Sequence, residues 1–334
     1  MTLTLVAEVT PPTVAGQVLQ ASSVAIKGDF AYVSYNTRGE PYHGAIQVFD
    51  IGDADKPILV SEAIFLDSDI HSLAFEGNYV YAIQGTGGIS LDTPAGFEVI
   101  RSKNGRLSLD GNTRVALPSF AGTGVVVSGN SIYATSGNNG GLYVFDTKSF
   151  SQKQQASLSD ARWVDMEGTR VVVVQGGIPS GQISVFDKKS LALLNTFSFT
   201  GADIPESKST VQVLGGKAII AAGNGGVQIL SIHTGTVVGT VPLPKDTGLD
   251  SSVVVTNSVA AAGKLLFISN GEAGVYLSEA VDEFKATASE EPQDITLLGK
   301  LRFDDLQSVN HVAYEGDTLF VAAGLGGLKI VKVD

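Results

Sequence analysis

The sequence predicts an all-β protein, a seven-bladed β-propeller closed by the N-terminal strand completing the last blade. Three observations point to it: a unit repeated seven times, strand-type alternation within the units, and chain ends that resemble complementary parts of one unit. Composition agrees. Of 334 residues, 43% are hydrophobic and 17% charged, enough apolar material for a core, and 39 glycines suit many short strands joined by tight turns. One propeller domain is expected over residues 1–334.

Each unit reads as an aliphatic strand, a turn opening on Gly, a second apolar strand, a Gly-rich turn and a third strand ending near Asp. The anchoring glycines are Gly28, Gly77, Gly129, Gly168, Gly215, Gly263 and Gly316, about 40–50 residues apart, the period of four-stranded blades. Four residues before each anchor stand Val24, Leu73, Val125, Val164, Val211, Val259 and Val312. Two before it stand Ile26, Phe75, Val127, Met166, Val213, Ala261 and Tyr314. The position between is mostly small: Ala25, Ala74, Val126, Asp165, Gln212, Ala260 and Ala313. This alternation fits an innermost strand buried on both faces.

Second strands such as Tyr32-Val33-Ser34 run into turns such as Gly223-Asn224-Gly225-Gly226 and Gly324-Leu325-Gly326-Gly327, and third strands such as Ile46-Gln47-Val48-Phe49-Asp50 follow. The seventh unit stops at Asp334 without a fourth strand, while Leu5-Val6-Ala7-Glu8-Val9 resembles the fourth strand of unit one, Leu59-Val60-Ser61-Glu62-Ala63. Residues near Leu3 to Val9 are therefore expected to complete the last blade and remove an open sheet edge. One helix candidate stands out, the acidic insertion from Ser278 to Glu291 in unit six.

A net charge of −12 repels phosphate backbones and anionic bilayers, so neither a nucleic-acid partner nor membrane insertion is expected. With no Cys, disulfides and thiolate chemistry are excluded. The N-terminus lacks the basic start and long apolar middle of a signal peptide. Absent Cys is compatible with export, so the expected location is the bacterial envelope, periplasmic or surface-exposed, with the export signal absent from this chain.

The run Gly44-Ala45-Ile46-Gln47-Val48-Phe49-Asp50-Ile51-Gly52-Asp53-Ala54-Asp55-Lys56-Pro57-Ile58-Leu59-Val60-Ser61 resembles the repeat of the LVIVD family. Ala222 to Ile229 and Ala323 to Ile330 fit the preceding part of that repeat, and Tyr32-Val33-Ser34-Tyr35-Asn36 looks like the related YVTN-type propellers, some of them lactonase-like. The full pattern including Pro57 occurs in unit one only. The resemblance implies an exported bacterial propeller, often a lipoprotein, with no common activity. One Trp, Trp163, cannot supply a Trp-Asp repeat or the Asp-box of sialidases, and the Tyr and Trp pairs of kelch repeats are absent.

Two columns are candidates for a site, because they begin the innermost strands and ring one mouth of the central channel. Six residues before the anchors are Ser22, His71, Thr123, Arg162, Ser209, Asn257 and Asn310, all polar; five before are Ser23, Ser72, Gly124, Trp163, Thr210, Ser258 and His311. A water-filled channel needs polar lining whatever it binds, so this reading competes with a specific ligand site. His71, Arg162, Trp163 and His311 exceed what solvation needs: Trp163 could stack on a ring, Arg162 could pair with a carboxylate, and two His could handle protons or a metal. Longer loops occur at Asn36 to His43, Thr86 to Gly96 and Gly177 to Ser180, and the first adds Arg38, Glu40, Tyr42 and His43 as a one-sided wall of mixed chemistry next to His71. The Gly-x-Gly-Gly turns have no following helix to cradle phosphate, and Asp53-Ala54-Asp55 lacks the Gly and Glu of a calcium loop.

The sequence thus predicts a non-enzymatic binding or scaffold propeller engaging a protein, glycan or small molecule at the channel mouth through His71, Arg162, Trp163, Asn257, Asn310, His311, Arg38, Tyr42 and His43. No catalytic or metal-ligating residue is assigned and the cofactor question stays open. The alternative is a lactonase-like hydrolase at the same channel, which the absence of Asp and Glu from both columns disfavours.

Overall fold

The computed structural model describes residues 1–86, 95–119, 121–177, 179–205, 207–245, 247–285 and 290–334. Seven four-stranded antiparallel sheets follow one another along the chain and stand in a ring. Each of blades one to six takes its strands in chain order from the axis outward. Blade one, for example, is Gln20–Lys27, Phe30–Asn36, Gly44–Asp50 and Ile58–Phe65. Blade four is Ala161–Glu167, Arg170–Gln175, Ser180–Asp187 and Leu193–Thr200.

The seven anchor glycines open two-residue hairpin turns, with φ between 53° at Gly77 and 65° at Gly316. This left-handed conformation is easy for Gly alone, which is why the anchor recurs. Burial follows the strand's place. Val171, Val172, Val173 and Val174 of the second strand in blade four are all 0% exposed, so a continuous apolar run is needed there. The outermost strand of blade three, Gln152–Leu158, alternates because one side meets water. The core is divided into seven apolar layers, each between two neighbouring blades. Tyr35, Phe49, Phe320 and Ile330 join blades seven and one, and Val172, Ile183, Val213 and Ile220 join blades four and five.

Blade seven supplies His311–Glu315, Thr318–Ala322 and Leu328–Val333, and Leu3–Val9 is its outermost strand. The register runs from Leu3 opposite Val333 to Val9 opposite Leu328, and Thr2 and Asp334 exchange backbone hydrogen bonds of 2.7 and 3.1 Å. The Lys329 ammonium adds a 2.6 Å ion pair to Glu8.

The helix expected from Ser278 to Glu291 is not found among the described residues. Val275–Ala280 is the third strand of blade six, paired through Ala280 with Ile295. Phe284, 0% exposed, is buried with residues of blades five and six, and its N–H donates to Gly263. Ladder pairing and one buried aromatic override a helix-compatible composition. Residues 286–289 lie outside the described residues, as do 87–94 of the expected unit-two loop and Ile178 of the unit-four loop.

Candidate functional site

The polar column six before each anchor acquires a structural meaning. In blades one to four the ladder slips at that residue: between Ala21 and Ser23, Ile70 and Ser72, Gly122 and Gly124, and Ala161 and Trp163. Ser22, His71, Thr123 and Arg162 are thus the extra residues of β-bulges, which re-aim their side chains. Most of them then reach the next blade. Ser22 Oγ donates to the Ile70 carbonyl (2.6 Å), His71 Nδ1 to Gly122 (2.7 Å) and Thr123 Oγ1 to Ala161 (2.7 Å). Asn257 Nδ2 donates to Val309 (3.2 Å), and Asn310 Nδ2 closes the circle on Ala21 (2.9 Å). Every acceptor lies seven residues before the anchor of its own blade. These carbonyls lie at or near the start of innermost strands, and a side-chain donor from the preceding blade hydrogen-bonds each of them.

The next column works in the opposite sense. Thr210 Oγ1, Ser258 Oγ and His311 Nδ1 accept the N–H groups of Val259, Val312 and Val24 at 3.4 to 3.5 Å. Deeper still, Asp165 Oδ2 takes the N–H of Val213 and Gln212 Oε1 that of Ala261, both at 2.7 Å. Side chains therefore lace blade to blade along the channel wall.

Blade five breaks the pattern. Arg162 meets there not one carbonyl but a loop: its Nη1 donates to Ile204 (2.8 Å), Ser207 (3.3 Å) and Ser209 Oγ (3.3 Å). Its Nε and Nη2 converge on one oxygen of Asp160 at 3.0 and 2.7 Å. Arg162 is 5% exposed and its donors are committed within the protein. Ser209 is held at φ 48°, a strained conformation for a non-glycine residue, and is 0% exposed. That twist sits beside Lys208, which sequence reasoning missed. Its side chain crosses the channel and donates 2.7 Å hydrogen bonds to the carbonyls of Ser22 on blade one and His71 on blade two. The ammonium lies 5.3 Å from the Trp163 ring centroid, and Trp163 in turn lies 5.5 Å from the His311 ring.

Above Lys208 the mouth opens into a recess of about 680 Å³. All seven blades contribute to it, among them Ser22 and Arg38, His71, Thr123, Arg162, Lys208, Asn257 and Asn310. The structure thus brings His71, Arg162, Asn257, Asn310 and Arg38 to one cavity, while Trp163 and His311 stack beside the Lys208 ammonium and are not part of the recess lining. Tyr42 lines a separate recess of about 550 Å³ with Glu40, Pro41, Leu66 and Asp67. His43 is buried, 8% exposed, its N–H donating to Thr37 Oγ1 at 3.2 Å. The wall expected beside His71 is therefore reduced to Arg38. Its loop is tied to blade two by buried Asp69, which accepts the N–H and hydroxyl of Thr37 at 2.9 and 3.0 Å.

Confinement shapes the charge states. Burial pulls Lys208 down to about 7, His71 to about 4 and His311 to about 3, the ammonium's own repulsion adding to both histidines. Both imidazoles are neutral at pH 7. Burial also pushes the Asp69 and Asp165 carboxyls up to about 6, against the hydrogen bonds each accepts. Among the described residues no three His, Asp or Glu side chains converge as metal ligands, and no helix is long and apolar enough to cross a membrane.

A ring of seven blades around a polar mouth defines the class, a β-propeller. No protein-family model matches the chain, and no curated protein does. Solved structures resemble it in fold. The WD40 β-propeller domain of Doa1 superposes with a TM-score of 0.65 over 100% of this chain and 97% of its own, at 12% identity. The Dos1 propeller gives 0.63 over 94% of this chain and 77% of its own, at 12% identity. The computationally designed Ika8 protein gives 0.59 over 99% and 100%, at 14% identity. Such identities speak for a shared fold, and a fold shared this widely carries many functions.

Proposed function

We propose that this chain is a non-catalytic binding propeller that takes its ligand, a protein segment, glycan or small molecule, in the channel mouth. The observation that carries the reading is the recess of about 680 Å³ to which every blade contributes polar groups. The Lys208 side chain spans the channel beside it, from blade five to carbonyls of blades one and two, which suits a concave receptor. A location in the bacterial envelope, with a lipid anchor, belongs to the same proposal. Its support is the likeness of the Gly44 to Ser61 run to the LVIVD repeat, and cell fractionation of the native protein tests it.

Glycan and small-molecule arrays probed with the parent chain and with Asn138→Trp test the binding reading. Asn138 is an exposed turn residue at the rim, and an indole there fills the mouth without touching the core. Specific capture by the parent that the variant loses, with both melting alike, is the expected result. Capture that the variant retains in full would put the ligand elsewhere and refute the reading.

A further inference from the structure

The position seven before each anchor is Ala21, Ile70, Gly122, Ala161, Lys208, Thr256 and Val309. Six of the seven are uncharged, and the one charge belongs to a residue lining the recess. Its setting is unusual for a cation. Two of the three N–H directions of an ammonium are spent on carbonyls, which leaves one for an incoming acceptor. Among the described residues no carboxylate forms an ion pair with Lys208. Asp160, the carboxylate on the recess wall, is occupied by Arg162, and Asp69 by Thr37. Arg38 stands exposed at the rim with no ion pair among the described residues. Among the described lining residues the recess thus carries three basic side chains, Arg38, Arg162 and Lys208, against one carboxylate, Asp160, in a chain of net charge −12, and a low-dielectric cleft focuses their field.

We propose that the channel mouth is a receptor for a small organic carboxylate, whose anionic group meets the free N–H of Lys208 while Arg38 guides or holds a second polar end. This rests on the binding reading above and names its ligand class. An uncompensated buried cation costs stability until an anion pairs with it, so a carboxylate gains there what a neutral ligand does not. The groups facing Lys208 are the neutral imidazoles of His71 and His311 and the indole of Trp163. The Arg162–Asp160 pair grips the residues on either side of it through Ser207 and Ser209. None of these supplies a competing negative charge. The strained φ of Ser209, fixed by Arg162, is the device that turns Lys208 inward. Arg162 is thus a positioning residue and not itself a ligand contact.

The single Trp makes the test direct, because Trp163 lies against the ammonium. Acetate, benzoate, succinate and citrate are titrated into the full chain at pH 6, below the value of about 7 to which burial pulls Lys208, each beside its neutral amide, with inorganic phosphate and methyl glucoside as further arms, and Trp163 fluorescence is followed. The expected result is a saturable change with at least one carboxylate, about ten- to hundredfold weaker for its amide. Lys208→Met should lose about as much, and Arg38→Gln, an exposed change that leaves folding intact, a smaller factor. Iodide should quench Trp163 better relative to neutral acrylamide in the parent than in Lys208→Met. Phosphate, glucoside or an amide binding as well as the carboxylates would overturn the ligand class while leaving the binding reading standing. Carboxylate affinity unchanged in both variants, or no carboxylate response at millimolar concentration, would overturn the assignment of Lys208.

Discussion

Replacing Arg162 by Ala separates a strut from a ligand anchor. The guanidinium makes two contacts to one Asp160 oxygen and three to the loop of blade five, and its side chain is 5% exposed against 23% for Asp160. Adding net values of about 1.5–3 kcal/mol per charged hydrogen bond would overshoot, since the stranded partners partly relax and rehydrate. Breaking one side of a buried pair costs about 3–5 kcal/mol, and the partial exposure of Asp160 favours the lower end, about 3 kcal/mol. Urea unfolding followed by Trp163 fluorescence and by far-ultraviolet circular dichroism measures it, with coincident transitions as the check on two-state behaviour. A cycle with Asp160→Asn isolates the pair, with an expected coupling of about 1–3 kcal/mol. A loss under about 1 kcal/mol, the worth of an exposed ion pair, would show that the loop holds Lys208 without Arg162 and would refute the strut.

Deleting residues 2–10 strips the outermost strand from blade seven, and thermal melts should show a loss of several kcal/mol, about one per ladder bond; a truncated chain melting like the parent would refute the closure. His71 titrates at about 4 in the fold against 6.5 in the unfolded chain, so the unfolded state binds the extra proton as pH falls, and stability declines from about 6.5 towards 4. His71→Gln, whose amide can still donate to Gly122, should flatten that decline in denaturation midpoints measured across the interval. Asp165 has the opposite sign: raised to about 6, it contributes stability below its ordinary 3.8 that is lost as pH rises through 6. Asp165→Asn should therefore be more stable than the parent at pH 8, by up to about 3 kcal/mol, and the gain should vanish near pH 4.

Much of the fold was legible in the chain because each feature obeys a local rule. An anchor glycine marks a two-residue hairpin that needs positive φ, and the alternation before it marks a strand packed on both sides. The closing strand was legible because its pattern matched a place left empty at the other end. The helix from Ser278 was misread because composition ignores the pairing of Ala280 with Ile295 and the burial of Phe284, both set by distant residues. The site was half legible. A column polar in all seven units announced itself, yet water lining and ligand binding both explain polarity, and nothing in one sequence distinguishes them from a third cause. That cause is geometric: a bulge turns Ser22, His71 and Thr123 towards carbonyls near the start of the following blade's innermost strand.

Lys208 escaped because it stands one position outside the polar columns, in a place that is otherwise small, apolar or uncharged. A regular repeat makes the exception informative. Where six blades offer Ala21, Ile70, Gly122, Ala161, Thr256 and Val309, the fold needs only a carbonyl and a narrow residue, so a lysine there is not demanded by closure of the ring. Its amine bridges blades one and two, but Ser22 already links those blades through Ile70, so the bridge duplicates an existing contact. A cation that adds little to the ring, in a polar recess lined by all seven blades, is better explained by what enters that recess than by what holds the blades together.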